Sequence, residues 1–162
     1  MSVVKLLQLA GGPPDDEQPP LRVICHGGPT AHNEPKLDIE MQYFTSRGIG
    51  VVDVNYRGST GYGREYRRLL NGRWGEIDWR DCIAAARYLA EQGEADAERT
   101  WVEGGRAGGY VVLCALVFEP TAFAAGVSYF GVADAEALAL ETHKFESRYL
   151  DSIIAPYPER AD

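Results

Sequence analysis

Apolar residues in this 162-residue chain gather into short runs that end at glycine-bearing turns. Short apolar runs bounded by such turns are typical of buried strands. They predict strands over residues 21–25, 49–54, 100–103 and 122–130.

A second pattern places apolar residues three or four positions apart, which predicts helices. It is clearest over residues 77–92, where Asp78 and Asp81 put negative charge in the first turns, as the helix dipole favours. Further helices are predicted over residues 37–47, 110–118, 133–140 and 145–154.

Predicted strands and helices alternate along the chain, and the strands are nearly continuous apolar runs. Both features favour a mostly parallel sheet with helices on both faces, the α/β class. Residues 11–20 are rich in proline and glycine and do not suit a regular element. We therefore divide the chain into an N-terminal segment and linker, residues 1–20, and one α/β unit, residues 21–162.

The stretch of residues 100–110 carries the most specific pattern. A short strand runs into Gly104-Gly-Arg-Ala-Gly108, and an apolar helical run follows. This is the layout of a nucleophile elbow, whose motif is G-x-S-x-G and whose sharp turn lifts one side chain above a parallel sheet. Arg106 occupies the position of the serine, and a guanidinium cannot form an acyl-enzyme.

Two other glycine-bearing loops follow predicted strands, at residues 26–30 and 55–63. Loops at the carboxyl ends of parallel strands form the ligand crevice of an α/β sheet. We expect both loops to meet residues 104–109 there. The alternative is that these glycines only permit tight turns.

The composition narrows the possible partners and surroundings. A net charge of −8 argues against nucleic acid and anionic membrane surfaces. No apolar run has the length of a membrane span, and residues 1–10 do not have the layout of a signal peptide. Cys25, Cys82 and Cys114 fall in apolar segments, which favours buried free thiols in a reducing compartment, the cytoplasm.

Several motifs in a fixed order together resemble the catalytic domain of the prolyl oligopeptidase family of serine peptidases, with its acylaminoacyl-peptidase (dipeptidyl-peptidase-like) branch the most similar. The motifs are His-Gly-Gly-Pro-Thr at 26–30, Val-Asn-Tyr-Arg-Gly-Ser-Thr-Gly-Tyr-Gly at 54–63, Asn-Gly-Arg-Trp-Gly at 71–75, the elbow at 104–110, Tyr-Phe-Gly-Val at 129–132 and Thr-His-Lys-Phe-Glu-Ser-Arg-Tyr at 142–149.

The resemblance implies an α/β-hydrolase fold and hydrolysis of short peptides through an acyl-enzyme. The family uses a triad in the chain order Ser, Asp, His, and its oxyanion hole takes one backbone N–H from the residue after the serine and one from an earlier loop. Carried over by position, these two donors are Ala107 and Gly28.

The sequence also departs from the family pattern. Arg106 replaces the serine, and the resemblance places the triad Asp and His beyond Asp162. His26, His32 and His143 belong to other motifs. We expect the preceding β-propeller and the first sheet strands to be absent, so that the fold is truncated at both ends.

These departures predict a catalytically inactive chain, either a fragment or a relic of a peptidase. A sheet that stops after residues 122–130 would also expose an edge, through which we expect self-association.

The sequence leaves one other function open. Arg106 at a helix N-terminus could hold an anionic peptide or a phosphate, which would make the chain a binding module. Nucleotide binding is disfavoured because the glycines at 58, 61 and 63 follow neither the dinucleotide-binding nor the Walker pattern. His26, His32 and Asp38 have no recognisable metal-ligand spacing, so neither a metal nor a cofactor is expected.

Overall fold

A five-stranded sheet forms the centre of the molecule. The computed structural model describes residues 3–7, 17–141 and 148–156. The strands are β1 (Val3–Leu7), β2 (Leu21–Cys25), β3 (Gly50–Asn55), β4 (Thr100–Gly105) and β5 (Ala125–Tyr129).

The strand order is β1-β3-β2-β4-β5. β3, β2, β4 and β5 are parallel, which confirms the α/β prediction, and β1 is antiparallel to β3. Strand β1 was not predicted, because its short apolar pattern is interrupted by Lys5 and followed by a proline-rich stretch.

The helices are α1 (Ile39–Thr45), α2 (Arg64–Arg68), α3 (Ile77–Glu91), α4 (Ala107–Phe118), α5 (Ala135–Glu141) and α6 (Tyr149–Ile153). Helix α2 was not predicted. The helix predicted over residues 145–154 corresponds to α6, and its first three residues lie outside the described part of the chain. Within the described ranges, no helix has both the length and the apolar character needed to cross a membrane.

Helices α3 and α4 cover one face of the sheet. The strand side chains on this face are apolar and alternate along each strand, as Leu21, Val23 and Cys25 do in β2. They form the main core with Cys82 of α3 and Val112 of α4, both at most 1% exposed. This core holds the strand ends that carry the glycine-bearing loops.

The opposite face of the sheet carries buried charge. Arg22, Asp53 and Glu103 are 4%, 5% and 8% exposed and project from β2, β3 and β4. The strands are thus not apolar on both faces, contrary to the sequence interpretation. Helix α1 lies on this side, where Phe44 packs 4.2 Å from the Arg22 guanidinium.

The apolar spacing that predicted α1 does not correspond to a buried stripe. Ile39 is 83% exposed and Tyr43 is 54% exposed, whereas Phe44 faces the sheet. The helix is instead fixed at its start by Asp38, whose side chain accepts hydrogen bonds from the backbone of Glu40 and Met41. N-capping of this kind satisfies amide groups that the helix leaves unpaired.

A second, smaller core lies beside the start of α4. It joins α6 to the segment between α2 and α3 and consists of Leu70, Trp74, Ile77, Ala107, Leu150 and Ile153. Because Ala107 follows Arg106 directly, this core places α6 next to the glycine-rich turn.

Candidate active site

The turn between β4 and α4 has the predicted strand-turn-helix layout. Arg106 lies between the two elements with φ 54° and ψ −116°. Its N–H donates to the carbonyl oxygen of Tyr129 at 2.9 Å, and its own carbonyl oxygen accepts from Tyr110 and Val132. A side-chain-bearing residue in such a backbone conformation costs about 1–3 kcal/mol, so the surrounding contacts must hold the turn in place.

Two glycines allow this turn to pack closely on β2. A Cβ at Gly108 would overlap the carbonyl oxygen of Cys25. A Cβ at Gly104 would lie 2.6 Å from the Gly108 carbonyl oxygen and 2.7 Å from that of Cys25. Any side chain at either position would push α4 away from the sheet. These are the two glycines that the G-x-S-x-G motif specifies.

The loop of residues 26–30 lies directly against the turn. A Cβ placed on Gly27 would be 3.2 Å from the Gly105 carbonyl oxygen and 3.8 Å from the Cβ of Arg106. Gly28 has φ 106°, a conformation that L side chains rarely adopt. Among the described residues, the N–H groups of Gly28 and Ala107 donate to no acceptor. Two unpaired donors therefore occur in segments that adjoin Arg106.

The third loop, residues 55–63, contacts the first loop, where Ser59 Oγ lies 2.7 Å from His26 Nε2. Thr60 donates its N–H to the carbonyl oxygen of Ala31 at 3.0 Å. Arg57 fixes the same loop to α3, because its guanidinium and its backbone N–H both donate to the Asp81 carboxylate at 2.7–3.0 Å. Arg57 thus anchors the 55–63 loop to α3.

His26 is held in a closed network and is not free to act as a base. Its Nδ1 lies 2.8 Å from the Gly27 carbonyl oxygen and its Nε2 lies 2.7 Å from Ser59 Oγ, while the ring stacks on Tyr56 at 4.2 Å. Burial lowers the pKa of His26 to about 4, although the Gly27 carbonyl opposes this shift. A neutral ring with its proton on Nδ1 donates to that carbonyl, while Nε2 faces the Ser59 hydroxyl, which itself donates to the Tyr56 carbonyl oxygen at 2.7 Å.

The other histidines give no base beside Arg106 in the described structure. His32 Nδ1 lies 3.0 Å from Thr60 Oγ1. His143 lies outside the described residues. Both described imidazoles are therefore hydrogen-bonded to hydroxyls of the 55–63 loop.

Tyr149 of α6 holds the loop that contains Gly28. Its hydroxyl lies 2.6 Å from Thr30 Oγ1, accepts from the Thr30 N–H at 3.3 Å and donates to the Gly28 carbonyl oxygen at 3.1 Å. Tyr149 was part of the quoted motif at 142–149, but no role was assigned to it. Its partners are 119 and 121 positions away in the chain, so local patterns could not have paired them.

A buried ion pair lies behind the turn, on the α1 face of the sheet. Arg22 Nη2 lies 2.5 Å from carboxylate oxygens of Glu103 and Glu40. Trp101 Nε1 donates to the other Glu103 oxygen at 3.1 Å. Glu103, for which the sequence suggested no function, thus anchors the strand that leads into the turn.

Arg106 itself projects into solvent. Its side chain is exposed and makes no hydrogen bond or ion pair with any described residue. A guanidinium offers donors and a positive charge but no nucleophilic atom. Within the described ranges, no group of three or more His, Cys, Asp or Glu side chains is placed to hold a metal ion.

Comparisons with known proteins agree with this layout. The model of the prolyl oligopeptidase family matches residues 35–161. Dipeptidyl aminopeptidase BIII of Pseudoxanthomonas mexicana is 36% identical over 123 residues, which are 76% of this chain and 18% of that protein.

Solved structures are similar over nearly the whole chain. A puromycin-hydrolysing peptidase of Mycobacterium tuberculosis is 46% identical with a TM-score of 0.91, and the match covers 97% of this chain and 24% of that one. An acylaminoacyl peptidase of Pyrococcus horikoshii is 26% identical with a TM-score of 0.84, and the match covers 98% and 25%. The chain thus spans about a quarter of these structures.

Proposed function

Because the chain belongs to the prolyl oligopeptidase family of serine peptidases, we propose that it is a portion of a peptidase catalytic domain that has lost its catalytic step. The family resemblance implies hydrolysis of short peptides by a serine that forms an acyl-enzyme. This chain has the turn that would present such a serine, but it carries Arg106 at that position.

The observation that carries the proposal is Arg106 at the tip of the turn between β4 and α4. The backbone there has φ 54°, and the flanking glycines pack closely on β2. Acyl transfer needs a nucleophilic oxygen or sulfur at this point and a base beside it. Arg106 supplies neither, and His26 and His32 are engaged with Ser59 and Thr60.

The proposed remnant of the machinery is an oxyanion hole made by the N–H groups of Gly28 and Ala107. Its support is that both groups lack an acceptor among the described residues and that both belong to segments beside Arg106. Removing one such donor from an active enzyme costs about 2.7–4 kcal/mol of barrier. In this chain the donors would bind a peptide carbonyl without activating it.

The test compares the wild-type chain with Arg106→Ser and Arg106→Ala. Each protein is incubated with a fluorophosphonate probe, an activated ester and short peptides. We expect no labelling and no turnover from any of the three, because Arg106→Ser restores the hydroxyl without a base. Wild-type turnover that disappears in Arg106→Ala would overturn the proposal. Turnover by Arg106→Ser alone would show that a base is present after all.

A second candidate function is the binding of an anionic peptide or a phosphate at Arg106. It is favoured by one observation: the exposed guanidinium, without a described partner, adjoins the unpaired N–H of Ala107 at the start of α4. Calorimetric titration with phosphate and with acidic peptides tests it. Heat of binding that is lost in Arg106→Ala supports this function, and equal binding by both proteins excludes it.

We also propose that the chain works in the cytoplasm. Cys25, Cys82 and Cys114 are all buried and unpaired, as is usual for thiols in a reducing compartment. Fractionation of the source cells, followed by immunoblotting, would test this location.

A further inference from the structure

Two of the three cysteines lie in contact within the main core. Cys25 Sγ is 3.3 Å from Cys82 Sγ, and the two residues are 1% and 0% exposed. Cys25 is the last residue of β2, and Cys82 lies on α3. Cys114, on α4, is also buried but is outside this pair.

We propose that Cys25 and Cys82 form an oxidation site, which becomes a disulfide when the chain folds in the presence of a small disulfide such as oxidised glutathione. One thiolate attacks oxidised glutathione, which gives a mixed disulfide and releases one glutathione. The second thiolate then attacks the protein sulfur of the mixed disulfide and releases the other glutathione. Two protein thiols are oxidised, and one glutathione disulfide is reduced to two thiols.

The geometry selects this pair over pairings with Cys114. The two sulfur atoms already touch, and closing the bond requires them to approach from 3.3 Å to about 2.0 Å. The side chains belong to a strand and a helix that pack on each other within one core. Folding therefore brings the two thiols together when α3 packs on β2.

Burial decides when the bond can form. In the folded protein, the hydrogen bond to Cys25 and the removal from water raise the pKa of the Cys82 thiol well above its ordinary value. Thiolate is the reactive form, so the folded pair reacts slowly with an external oxidant. Before the core closes, both thiols are accessible to glutathione, and exchange can proceed.

The disulfide would tie down the base of the loop that contains Gly28. Cys25 directly precedes His26, and its carbonyl oxygen lies against Gly104 and Gly108. A disulfide to α3 would hold the end of β2, where this loop begins, against the main core. The inference does not depend on any peptidase activity, so it can fail or hold independently of the proposed function.

The experiment folds the reduced, denatured full chain by dilution into a buffer of reduced and oxidised glutathione. Free thiols are then alkylated, and the intact mass and the peptides are measured. We expect one alkylated thiol, at Cys114, and one cross-linked peptide pair containing Cys25 and Cys82. The bond spans 57 positions, so the oxidised protein should melt about 5–15 °C above the reduced one.

Cys114→Ala is the matched control and should form the same bond, whereas Cys82→Ala should not. As a second arm that needs no refolding, folded protein is held in the same buffer with sub-denaturing urea until the Cys82 amide has exchanged with deuterium. Three free thiols after that opening, a bond that includes Cys114, or an oxidised protein that melts below the reduced one would each overturn the inference.

Discussion

Arg106 combines an unfavourable backbone conformation with an exposed side chain that forms no hydrogen bond or ion pair with any described residue. The φ of 54° is imposed by the hydrogen bonds of its N–H and carbonyl groups and by the close packing of Gly108 on β2. This conformational cost falls at a position where the side chain adds no hydrogen bond or ion pair with any described residue to offset it. The strain should therefore be visible as lost stability.

Arg106→Gly should stabilise the protein by about 1 kcal/mol, because glycine adopts this conformation without a Cβ penalty. Arg106→Ala is the matched control, since it removes the guanidinium and keeps the Cβ. Urea unfolding at equilibrium measures both. Equal stabilisation by the two variants would assign the effect to charge and contradict the backbone explanation.

A second residue-scale feature concerns two buried groups that titrate in opposite senses. Asp78 is fully buried and accepts hydrogen bonds from the backbone of Gly75 and Trp79. Burial raises the pKa of its carboxyl from 3.8 to about 6, although those hydrogen bonds oppose the shift. His26 has its pKa lowered from 6.5 to about 4.

The signs follow from proton linkage. Asp78 binds more protons in the folded state than in the unfolded one between about pH 4 and pH 6, so its contribution to stability is lost as the pH rises through that range. His26 binds fewer protons in the folded state between pH 6.5 and about 4, so its contribution is lost as the pH falls. Each contribution is roughly 3 kcal/mol, and the two nearly cancel.

Asp78→Asn should expose the His26 contribution. Wild-type stability is expected to change little between pH 6.5 and pH 4, whereas the variant should lose roughly 3 kcal/mol over that range. Denaturant titrations at half-unit pH steps measure both curves. Parallel curves for the two proteins would show that Asp78 does not titrate as described.

At the scale of elements, helix α6 holds the loop of residues 26–30 in place through one hydroxyl. Tyr149 contacts Thr30 and Gly28, and the adjacent Leu150 and Ile153 pack in the second core. The position of the Gly28 N–H thus depends on a helix that follows it by more than a hundred residues.

Tyr149→Phe keeps the ring and removes the hydroxyl. We expect the Thr30 amide to exchange with deuterium about tenfold faster, since the loss of one such hydrogen bond is worth about 1–1.5 kcal/mol. Exchange followed by NMR gives the rate at this amide directly. Tyr88→Phe, on the exposed face of α3, is the control and should leave it unchanged. An unaltered Thr30 rate in Tyr149→Phe would show that the loop is held by other contacts.

At the scale of the whole molecule, β5 is the outermost strand on one side of the sheet formed by the described residues. β5 pairs only with β4 within the described residues, and Val127 and Tyr129 are 38% and 50% exposed. The sequence of β5 is Ala-Gly-Val-Ser-Tyr, without a charge or proline that would discourage pairing with another chain.

We predict that this edge drives self-association, with a second copy pairing along β5. Sedimentation should show dimers or larger species that increase with concentration. Val127→Lys places a charge on the edge and should shift the protein towards monomer. Val117→Lys changes an exposed residue of α4; it is the matched control and should not shift the protein towards monomer. A wild-type monomer that melts cooperatively at all concentrations would contradict the prediction.

Which features could be predicted from the sequence depends on how far apart in the chain the interacting residues lie. The parallel sheet and the turn at Arg106 were predictable because apolar runs and glycine spacing are local. The polar face was not, since the partners of Arg22 are Glu40 and Glu103, on separate elements. The role of Tyr149 was also hidden, because its contacts form only when α6 packs in the second core.

The close packing of Gly104 and Gly108 on Cys25 shows that the glycines of the motif serve the fold, whereas catalysis depends on the side chain between them. Both glycines are required for α4 to sit on the sheet, whether or not the protein performs chemistry. The side chain between them faces solvent and can change without disturbing the fold. Purifying selection on folding alone would therefore retain the glycine signature long after the nucleophile had been replaced. A genome survey that relies on these glycines would count relics together with working peptidases.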